Sequence, residues 1–208
     1  MIVFENQDLV VVDKPHGWLT IPARFKDDPR KVLGLELKRQ LGMRLFPVHR
    51  LDYEVGGLVI FAKTALAHKT AQRWFELGQI QKTYSALSLG NHAVSEWVEW
   101  KSLLVRGKKR TFEAKHGSLA ITKARVVNIK TILQWELMPI TGRPHQLRFE
   151  MHKHGFAVLG DRLYGGQEWK GRPDNAIALK AIKLDLSQIQ ISERFDLPET
   201  VELPHLRY

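Results

Sequence analysis

An α+β fold built around a largely antiparallel or mixed β-sheet is predicted by three features of the sequence. Strand-like apolar runs outnumber helical patterns, groups of strands alternate with single helices, and the connections between them are short. Hydrophobic residues make up 44% of the 208 residues, which is enough to form a buried core. No repeat and no Gly/Ser linker divides the chain, so we expect residues 1–208 to form a single domain with a few flanking helices.

Eight strands are expected from runs rich in β-branched and other apolar residues. They cover residues 2–4, 9–13, 58–63, 83–89, 97–105, 121–129, 132–140 and 176–186. The last of them, AIALKAIKLDL, alternates apolar and polar residues, which is typical of a half-buried antiparallel strand.

Three helices are predicted from apolar residues at helical spacing, over residues 31–41, 65–77 and 144–154. The second ends before Gly78, a typical residue just beyond a helix C-terminus. The third begins with Pro144, which suits the first turn of a helix, and it ends before Gly155.

The charge balance indicates a polyanionic partner. Lys and Arg total 32 against 22 Asp and Glu, so the net charge is +10. Basic side chains gain affinity for a polyanion by displacing condensed counterions from its phosphates. A basic surface that serves solubility alone, or an acidic membrane, would also be compatible with this charge. However, the chain has no long apolar span, basic amphipathic helix or lipidation signal, so we expect no membrane partner.

Several classes of site are disfavoured by what the sequence lacks. Without cysteine there can be no disulfide, cysteine zinc site or thiol nucleophile. His145, His152 and His154 do not have the spacing of a zinc motif, and neither a phosphate loop nor a dinucleotide fingerprint occurs. We therefore predict no metal, no nucleotide and no other cofactor. The N-terminus has no secretory pattern, so we expect a cytoplasmic protein, and we expect a monomer.

Three polar segments interrupt the apolar pattern. DKPHGWLT, residues 13–20, places Lys14 at a rigid turn after a strand, where it either presents a cation or serves only the turn. HRLDYEVGGL, residues 49–58, places Asp52 at the edge of the core, where a carboxylate needs a partner. TGRPHQLRFEMHKHGFAVLGDRLYGG, residues 141–166, contains Arg143 and Arg148, either of which could neutralise a carboxylate from elsewhere in the chain.

These segments resemble the motifs of the RluA-type family of pseudouridine synthases. PVHRLDYEVGGLVIFAKT resembles the family signature, DKPHGW its first motif, IQKTYSALSLG its Lys-x-Tyr-x-Ala segment, and TGRPHQLR with LGDRLYGG its last motif. The match runs in family order over residues 9–166, in a compact form in which we expect no S4 domain. The chain departs from the family at Val55–Gly56–Gly57, at Pro144 and at Glu150, where the family usually has other residues.

The resemblance implies a pseudouridine synthase fold and the cofactor-free isomerisation of a uridine in a stem-loop of ribosomal or transfer RNA. It implies that Asp52 is the catalytic carboxylate, with Arg148 to keep it charged. Tyr84 would stack under the uracil and help to remove the C5 proton, unless it is only a core aromatic. Arg50 would fill the space left by the flipped base. A covalent adduct and a glycal intermediate both remain open.

Other basic residues are expected to bind the RNA. RGKKR lies between two predicted strands, so Arg106, Lys108, Lys109 and Arg110 are expected at a hairpin tip that contacts phosphates, although a solvated loop is the alternative. The remaining substrate-binding residues are expected to be Lys14, Lys82, Arg143 and His145.

Two rival functions are less compatible with the sequence than the enzyme. A non-catalytic RNA-binding or RNA-folding protein on the same scaffold is disfavoured because Asp52, Tyr84 and Arg148 are all present. A glycosidase or nuclease with paired carboxylates is disfavoured because no second Asp or Glu occupies a motif here.

Overall fold

The computed structural model describes residues 1–24, 27–90, 95–128 and 131–207. The strands of these ranges are β1 (Ile2–Glu5), β2 (Leu9–Lys14), β3 (Phe46–Pro47), β4 (Gly56–Ala62), β5 (Gln81–Leu89), β6 (Val98–Arg106), β7 (Thr111–Glu113), β8 (Ser118–Asn128), β9 (Ile132–Pro139), β10 (Leu179–Asp185) and β11 (Thr200–Glu202). The helices are α1 (Leu33–Leu41), α2 (Ala65–Glu76) and α3 (Gln146–Lys153), and short 3-10 turns cover Arg162–Tyr164 and Ile191–Glu193.

Packing divides the chain into two compact units. The first consists of Met1–Ile80 and Lys183–Leu203, and the second of Gln81–Ile182 and Pro204–Tyr208. The chain passes from the second unit into the first within β10. This division does not test whether the chain folds as one domain, so the single-domain interpretation of residues 1–208 stays a prediction.

The first unit is organised around β4, which is buried along its whole length. β2 and β3 pair with β4, β1 pairs with β2, and β11 pairs with the last residues of β10, all antiparallel. Helix α2 begins after Thr64, whose side chain accepts a hydrogen bond from the Ala67 backbone at 3.1 Å. Its apolar face, with Ala71 and Trp74, packs into the core of this unit. The core therefore lies against the face of β4 that carries Leu58, Ile60 and Ala62.

The second unit contains five strands in the order β5-β9-β8-β6-β7, and every pairing among them is antiparallel. In the middle of β6 and β8, side chains alternate between buried and more exposed positions, because successive residues point to opposite faces of a strand. The inward face carries Trp100, Leu104 and Ala120. Helix α3 contacts β6, β7, β8 and β9.

The predicted α+β fold with a largely antiparallel sheet is confirmed. All eight predicted strands and all three predicted helices occur, with ends displaced by up to three residues. Gly78 follows α2 in the left-handed conformation, at φ +68°, as its position at the helix end predicts. Ile129, the last residue of the predicted 121–129 strand, lies outside the described residues.

Two element boundaries differ from the sequence interpretation. Gly56 and Gly57 precede the predicted 58–63 strand, but they are the first two residues of β4, and Gly57 already pairs with β2. Pro144 is not in the first turn of α3, because the helix begins at Gln146 after His145, whose φ of 53° is left-handed. Three short strands, β3, β7 and β11, were not predicted.

Candidate active site

Asp52 lies in the loop that leads from β3 into β4. Its neighbours Leu51 and Val55 are buried, with 6% and 3% of their surfaces exposed, while Asp52 itself is half-buried. The Val55 backbone N–H donates to the Asp52 carbonyl at 3.2 Å and closes a turn around the aspartate. Asp52 therefore lies at the edge of the core, as the sequence predicts, with apolar anchors on both sides.

The 14–20 segment holds this loop through its backbone. The Thr20 hydroxyl donates to the Leu51 carbonyl at 3.3 Å and accepts from the Leu51 N–H at 3.2 Å. The Gly17 N–H donates to the Tyr53 carbonyl at 3.0 Å. Hydrogen bonds on both sides of Asp52 limit the conformations that this residue can adopt, so the first and second polar segments of the sequence form one local structure.

Gly56 allows a close approach between this loop and His16. The His16 Nδ1 lies 2.9 Å from the Glu54 carbonyl, to which it donates. A Cβ atom at position 56 would lie 2.7–3.0 Å from three atoms of the His16 ring, which is closer than side-chain packing permits. The glycine therefore has a steric role here, and the departure from the family pattern at this position accommodates the imidazole.

Lys14 is part of the same structure rather than an exposed cation. Its side chain is fully buried, and its ammonium donates to the carbonyls of Pro15, Trp18 and Tyr53 at 3.1, 2.7 and 3.3 Å. This placement corrects the expectation that the turn presents Lys14 to RNA, because the three carbonyls use all three ammonium hydrogens. Burial lowers the pKa of Lys14 to about 8, although the nearby charges of Asp52, Glu54 and Asp13 act to raise it.

The pKa of Lys14 predicts an unusual dependence of stability on pH. Between pH about 8 and 10.5 the unfolded chain holds a proton on this lysine that the folded chain has released. Folding stability therefore rises with pH across this window, by at most about 1.4 kcal/mol per pH unit. Urea unfolding at several pH values should show wild type gaining stability relative to Lys14→Met. The exposed Lys38→Met variant should follow wild type throughout, and a constant difference between wild type and Lys14→Met would contradict the buried, titrating ammonium.

In the second unit, Arg148 and Asp161 form a buried ion pair. Nε of Arg148 donates to Oδ2 of Asp161 at 2.6 Å and Nη2 donates to Oδ1 at 2.8 Å, with 2% and 1% of the two side chains exposed. The two parallel hydrogen bonds fix the plane of the guanidinium. The guanidinium carbon also lies 5.4 Å from the centre of the Tyr164 ring. Asp161 is thus a partner that the sequence interpretation did not identify for Arg148.

Tyr164 connects this ion pair to the basic hairpin. Its hydroxyl accepts a hydrogen bond from the Thr111 N–H at 2.8 Å and lies 3.2 Å from Nδ1 of His145. Arg106 also approaches the His145 ring, with its Nη1 3.0 Å from Nε2 and 3.2 Å from Nδ1. Thr111 also donates from its hydroxyl to the Pro144 carbonyl at 2.7 Å. The start of β7 and the start of α3 are therefore joined around one buried tyrosine.

The LGDRLYGG motif carries both residues that the sequence interpretation missed, Asp161 and Tyr164. Its turn is very tight, because a Cβ atom at Gly166 would lie 1.9 Å from the Val158 carbonyl oxygen. The Gly166 N–H donates to the Asp161 carbonyl at 2.8 Å. The motif itself was the signal for these residues, but the sequence could not tell which of its polar side chains would be buried.

The remaining predicted residues occupy different environments. Arg50, Arg143 and the hairpin residues Arg106, Lys108, Lys109 and Arg110 are exposed, which is compatible with contacts to a polyanion. Lys82, Tyr84 and His145 are half-buried. Tyr84 pairs with Leu137 of β9, and burial lowers the pKa of Lys82. Of the four basic residues of RGKKR, Lys108, Lys109 and Arg110 lie at a hairpin tip between β6 and β7, and Arg106 is the last residue of β6.

Glu150, the third departure from the family pattern, is fully buried on α3. Burial raises the pKa of its carboxyl group. Its Oε2 lies 3.7 Å from Nε2 of His154, whose ring stacks on Trp100 with ring centres 4.3 Å apart. Glu150 therefore belongs to the packing of α3 on β6.

Two other features were considered possible from the charge and the histidines, a metal site and a membrane-spanning helix, and neither is found in the described ranges. Within them, no group of three or more His, Cys, Asp or Glu side chains is arranged to hold a metal ion. No helix in this part of the chain is both long and apolar enough to cross a membrane. A cavity of about 1150 Å³ in the second unit is lined by Leu87, Leu89, Ile132 and Leu206 among others, and none of the predicted site residues lines it.

The chain matches the family described as RNA pseudouridylate synthase over residues 8–153. It is 32% identical to ribosomal large subunit pseudouridine synthase D of Yersinia pestis, over 86% of this chain and 57% of the relative. It is 27% identical to tRNA pseudouridine synthase C of Pectobacterium carotovorum subsp. carotovorum, over 92% and 55%, so it spans little more than half the length of these two relatives. The dual-specificity RNA pseudouridine synthase RluA of Haemophilus influenzae is 29% identical, over 81% of this chain and 78% of the relative.

Solved structures show the same fold. Human RNA pseudouridylate synthase domain containing 1 superimposes with a TM-score of 0.73 at 24% identity, over 89% of this chain and 77% of that one. Human RNA pseudouridylate synthase domain containing 4 superimposes with a TM-score of 0.70 at 22% identity, over 99% and 88%. These two likenesses confirm the predicted fold.

Proposed function

The chain belongs to the RNA pseudouridylate synthase family, and we propose that it isomerises a uridine of ribosomal or transfer RNA to pseudouridine. In this reaction the N1–C1′ bond breaks, the uracil turns, a C5–C1′ bond forms, and the hydrogen at C5 leaves as a proton while N1 gains one. Atoms and electrons balance without an oxidant, a reductant or a cofactor.

The observation that carries the proposal is the construction of the Asp52 loop. The carboxylate is half-buried, and the loop on both sides of it is held by hydrogen bonds from the 14–20 segment. A loop with so few accessible conformations suits a carboxylate that must contact the ribose or the uracil in one orientation. Burying the Lys14 ammonium against this loop costs free energy, and an aspartate with only a structural role would not require that cost. We therefore assign Asp52 as the reactive carboxylate.

Lys14 is assigned a positioning role instead of an RNA contact. Its ammonium binds the carbonyl of Tyr53, the residue after Asp52, and it is fully buried. Arg148 forms a buried ion pair with Asp161 within the second unit. Its proposed effect on Asp52 and the stacking role of Tyr84 are taken from the family resemblance. Flipping of the target uridine, with Arg50 in the vacated space, is likewise part of the proposal.

The activity can be tested with RNA from cells that lack the gene. Such RNA, labelled with tritium at C5 of uridine, should lose tritium to water when the purified protein is added, because joining C1′ to C5 expels that hydrogen. Mapping pseudouridines before and after the reaction would identify the target site in ribosomal or transfer RNA. Binding of this RNA without any tritium release would support the rival, a non-catalytic RNA-binding protein.

The hairpin tip should contribute to binding but not to chemistry. Neutralising Lys108, Lys109 and Arg110 should weaken RNA binding and flatten the plot of log K against log salt by about one unit for each phosphate that is no longer bound. The rate at saturating RNA should stay near that of wild type. Lys14→Met serves as the comparison, since a buried lysine binds no phosphate and its salt slope should not change. If the salt slope of the hairpin variant is unchanged, these residues contact no phosphate and form only a solvated loop.

A further inference from the structure

Four large apolar side chains are exposed together on the outward face of the second unit. They are Leu103, Phe112, Leu119 and Ile140, with 37%, 44%, 46% and 49% of their surfaces exposed. Leu103 and Leu119 are direct partners across β6 and β8, Phe112 is paired with Val105 of β6, and the Ile140 N–H donates to the Ile121 carbonyl of β8. Directly opposite residues such as Leu103 and Leu119 have side chains close enough to touch, and the partners Val105 and Ile121 place Phe112 and Ile140 beside them on the same face of the sheet. We call these four residues the apolar patch, and contiguous exposed patches of this kind mark binding surfaces more often than isolated exposed residues do.

Phe112 is held in place before any ligand binds. A Cβ atom at Gly107 would lie 3.2 and 3.4 Å from two carbons of the Phe112 ring, so the ring rests against the backbone of the hairpin turn. That turn is closed by a hydrogen bond of 3.0 Å from the Gly107 N–H to the Arg110 carbonyl. The preceding residue, Thr111, is fixed by Tyr164 on the opposite face. An aromatic ring mounted in this way loses little conformational freedom on binding.

The charges beside the patch favour a polyanion. Lys108, Lys109 and Arg110 are exposed at the tip, next to Phe112 in the chain. Arg143 is exposed and its Nε donates to the Leu119 carbonyl at 3.0 Å. The one acid of β7, Glu113, is bound by Lys153 at 2.9 Å. An exposed aromatic ring among cations is the arrangement with which proteins bind single-stranded nucleic acid, since the base stacks and the phosphates meet the cations.

We propose that Phe112 is a stacking platform for an unpaired base of the bound RNA. Leu103 and Leu119 extend the apolar surface beside the ring, while Lys108, Lys109, Arg110 and Arg143 hold the flanking phosphates. The inference rests on the proposed function in that the ligand is RNA. It adds a site for a base other than the uridine that reacts, on a hairpin that would otherwise recognise only charge.

The test compares Phe112→Ala, Phe112→Leu and Phe112→Trp in binding a fluorescently labelled single-stranded oligoadenylate, which contains no uridine and so cannot react. Phe112→Ala should bind about tenfold more weakly at every salt concentration, because the variant cannot stack one base but still binds every phosphate. Phe112→Leu keeps the apolar volume and should bind as weakly as the alanine variant. Phe112→Trp should restore binding. Ile191→Ala, at another strongly exposed apolar position, should bind like wild type.

The outcomes separate this inference from the proposed function. If Phe112→Ala binds oligoadenylate like wild type while tritium release proceeds, the proposed stacking role of Phe112 is wrong and the proposed enzymatic activity is retained. If wild type releases no tritium from RNA but Phe112 supports oligoadenylate binding, the proposed stacking role of Phe112 is retained and the proposed pseudouridine synthase activity is wrong. The leucine variant also controls for misfolding. Leucine preserves the packing on Gly107, so equally weak binding by the alanine and leucine variants is due to loss of the aromatic ring and not to loss of the fold. Self-association of wild type that disappears in Phe112→Ala, with RNA binding unchanged, would make the apolar patch a protein interface and overturn the proposal.

Discussion

Asp52→Asn is expected to release no measurable tritium from RNA labelled at C5 of uridine. The substitution keeps the shape of the side chain and removes its charge, so it separates chemistry from packing. Removing the group that reacts costs an enzyme about 10⁴-fold or more in rate. RNA binding should stay near that of wild type or become tighter, because a negative charge near the phosphates has gone.

Glu54→Gln is the matched control for this experiment. Glu54 lies two residues along the same loop, is also half-buried, and contributes its backbone carbonyl to His16. The variant undergoes the same change of charge and should keep the rate of wild type. If folded Asp52→Asn releases tritium at a rate close to that of wild type, Asp52 is a structural residue and the assignment of the reactive carboxylate is wrong.

The second large effect is expected at the buried ion pair of Arg148 and Asp161. Asp161→Asn removes the carboxylate charge that pairs with the Arg148 guanidinium, of which 2% is exposed. The free energy of unfolding should fall by about 3–5 kcal/mol, measured by urea denaturation, because the remaining charge cannot be solvated. Tritium release should fall as well, since the orientation of Arg148 depends on two hydrogen bonds to this carboxylate.

The exposed pair formed by Arg162 and Asp174 provides the control. Its N–O distance is 3.0 Å, but 69% and 80% of the two side chains are exposed. Asp174→Asn should therefore change the free energy of unfolding by less than about 1 kcal/mol. A loss for Asp161→Asn as small as this would contradict the buried pair.

A double variant distinguishes stability from function at the same position. Replacing both partners, as Arg148→Met with Asp161→Leu, removes both buried charges and should recover most of the stability that Asp161→Asn loses. If Arg148 takes part in the reaction, the stable double variant should still release little tritium. Full activity in this variant would limit Arg148 to a structural role.

The sequence determined the features that depend on short stretches of chain. Apolar runs and helical spacing were sufficient for the eight long strands and three helices, because local pattern decides which face of an element is buried. The tip position of RGKKR followed from its place between two strand patterns, and the core-edge position of Asp52 from the apolar run behind it. The resemblance of four short motifs was enough to indicate the family.

Only the tertiary structure decided how the polar side chains are paired. From its sequence context, Lys14 is expected to be an exposed turn residue, but in the folded chain its ammonium is surrounded by three backbone carbonyls. Likewise, the sequence gives no sign that Asp161 pairs with a charge, but in the structure α3 places Arg148 beside it. Strands β3, β7 and β11 consist of two or three residues and form only because a longer neighbour pairs with them. Such pairings depend on residues distant in sequence, and the burial that makes them strong arises from the packing of the whole unit. A local pattern can therefore locate a charged residue, but it cannot determine which group will balance its charge.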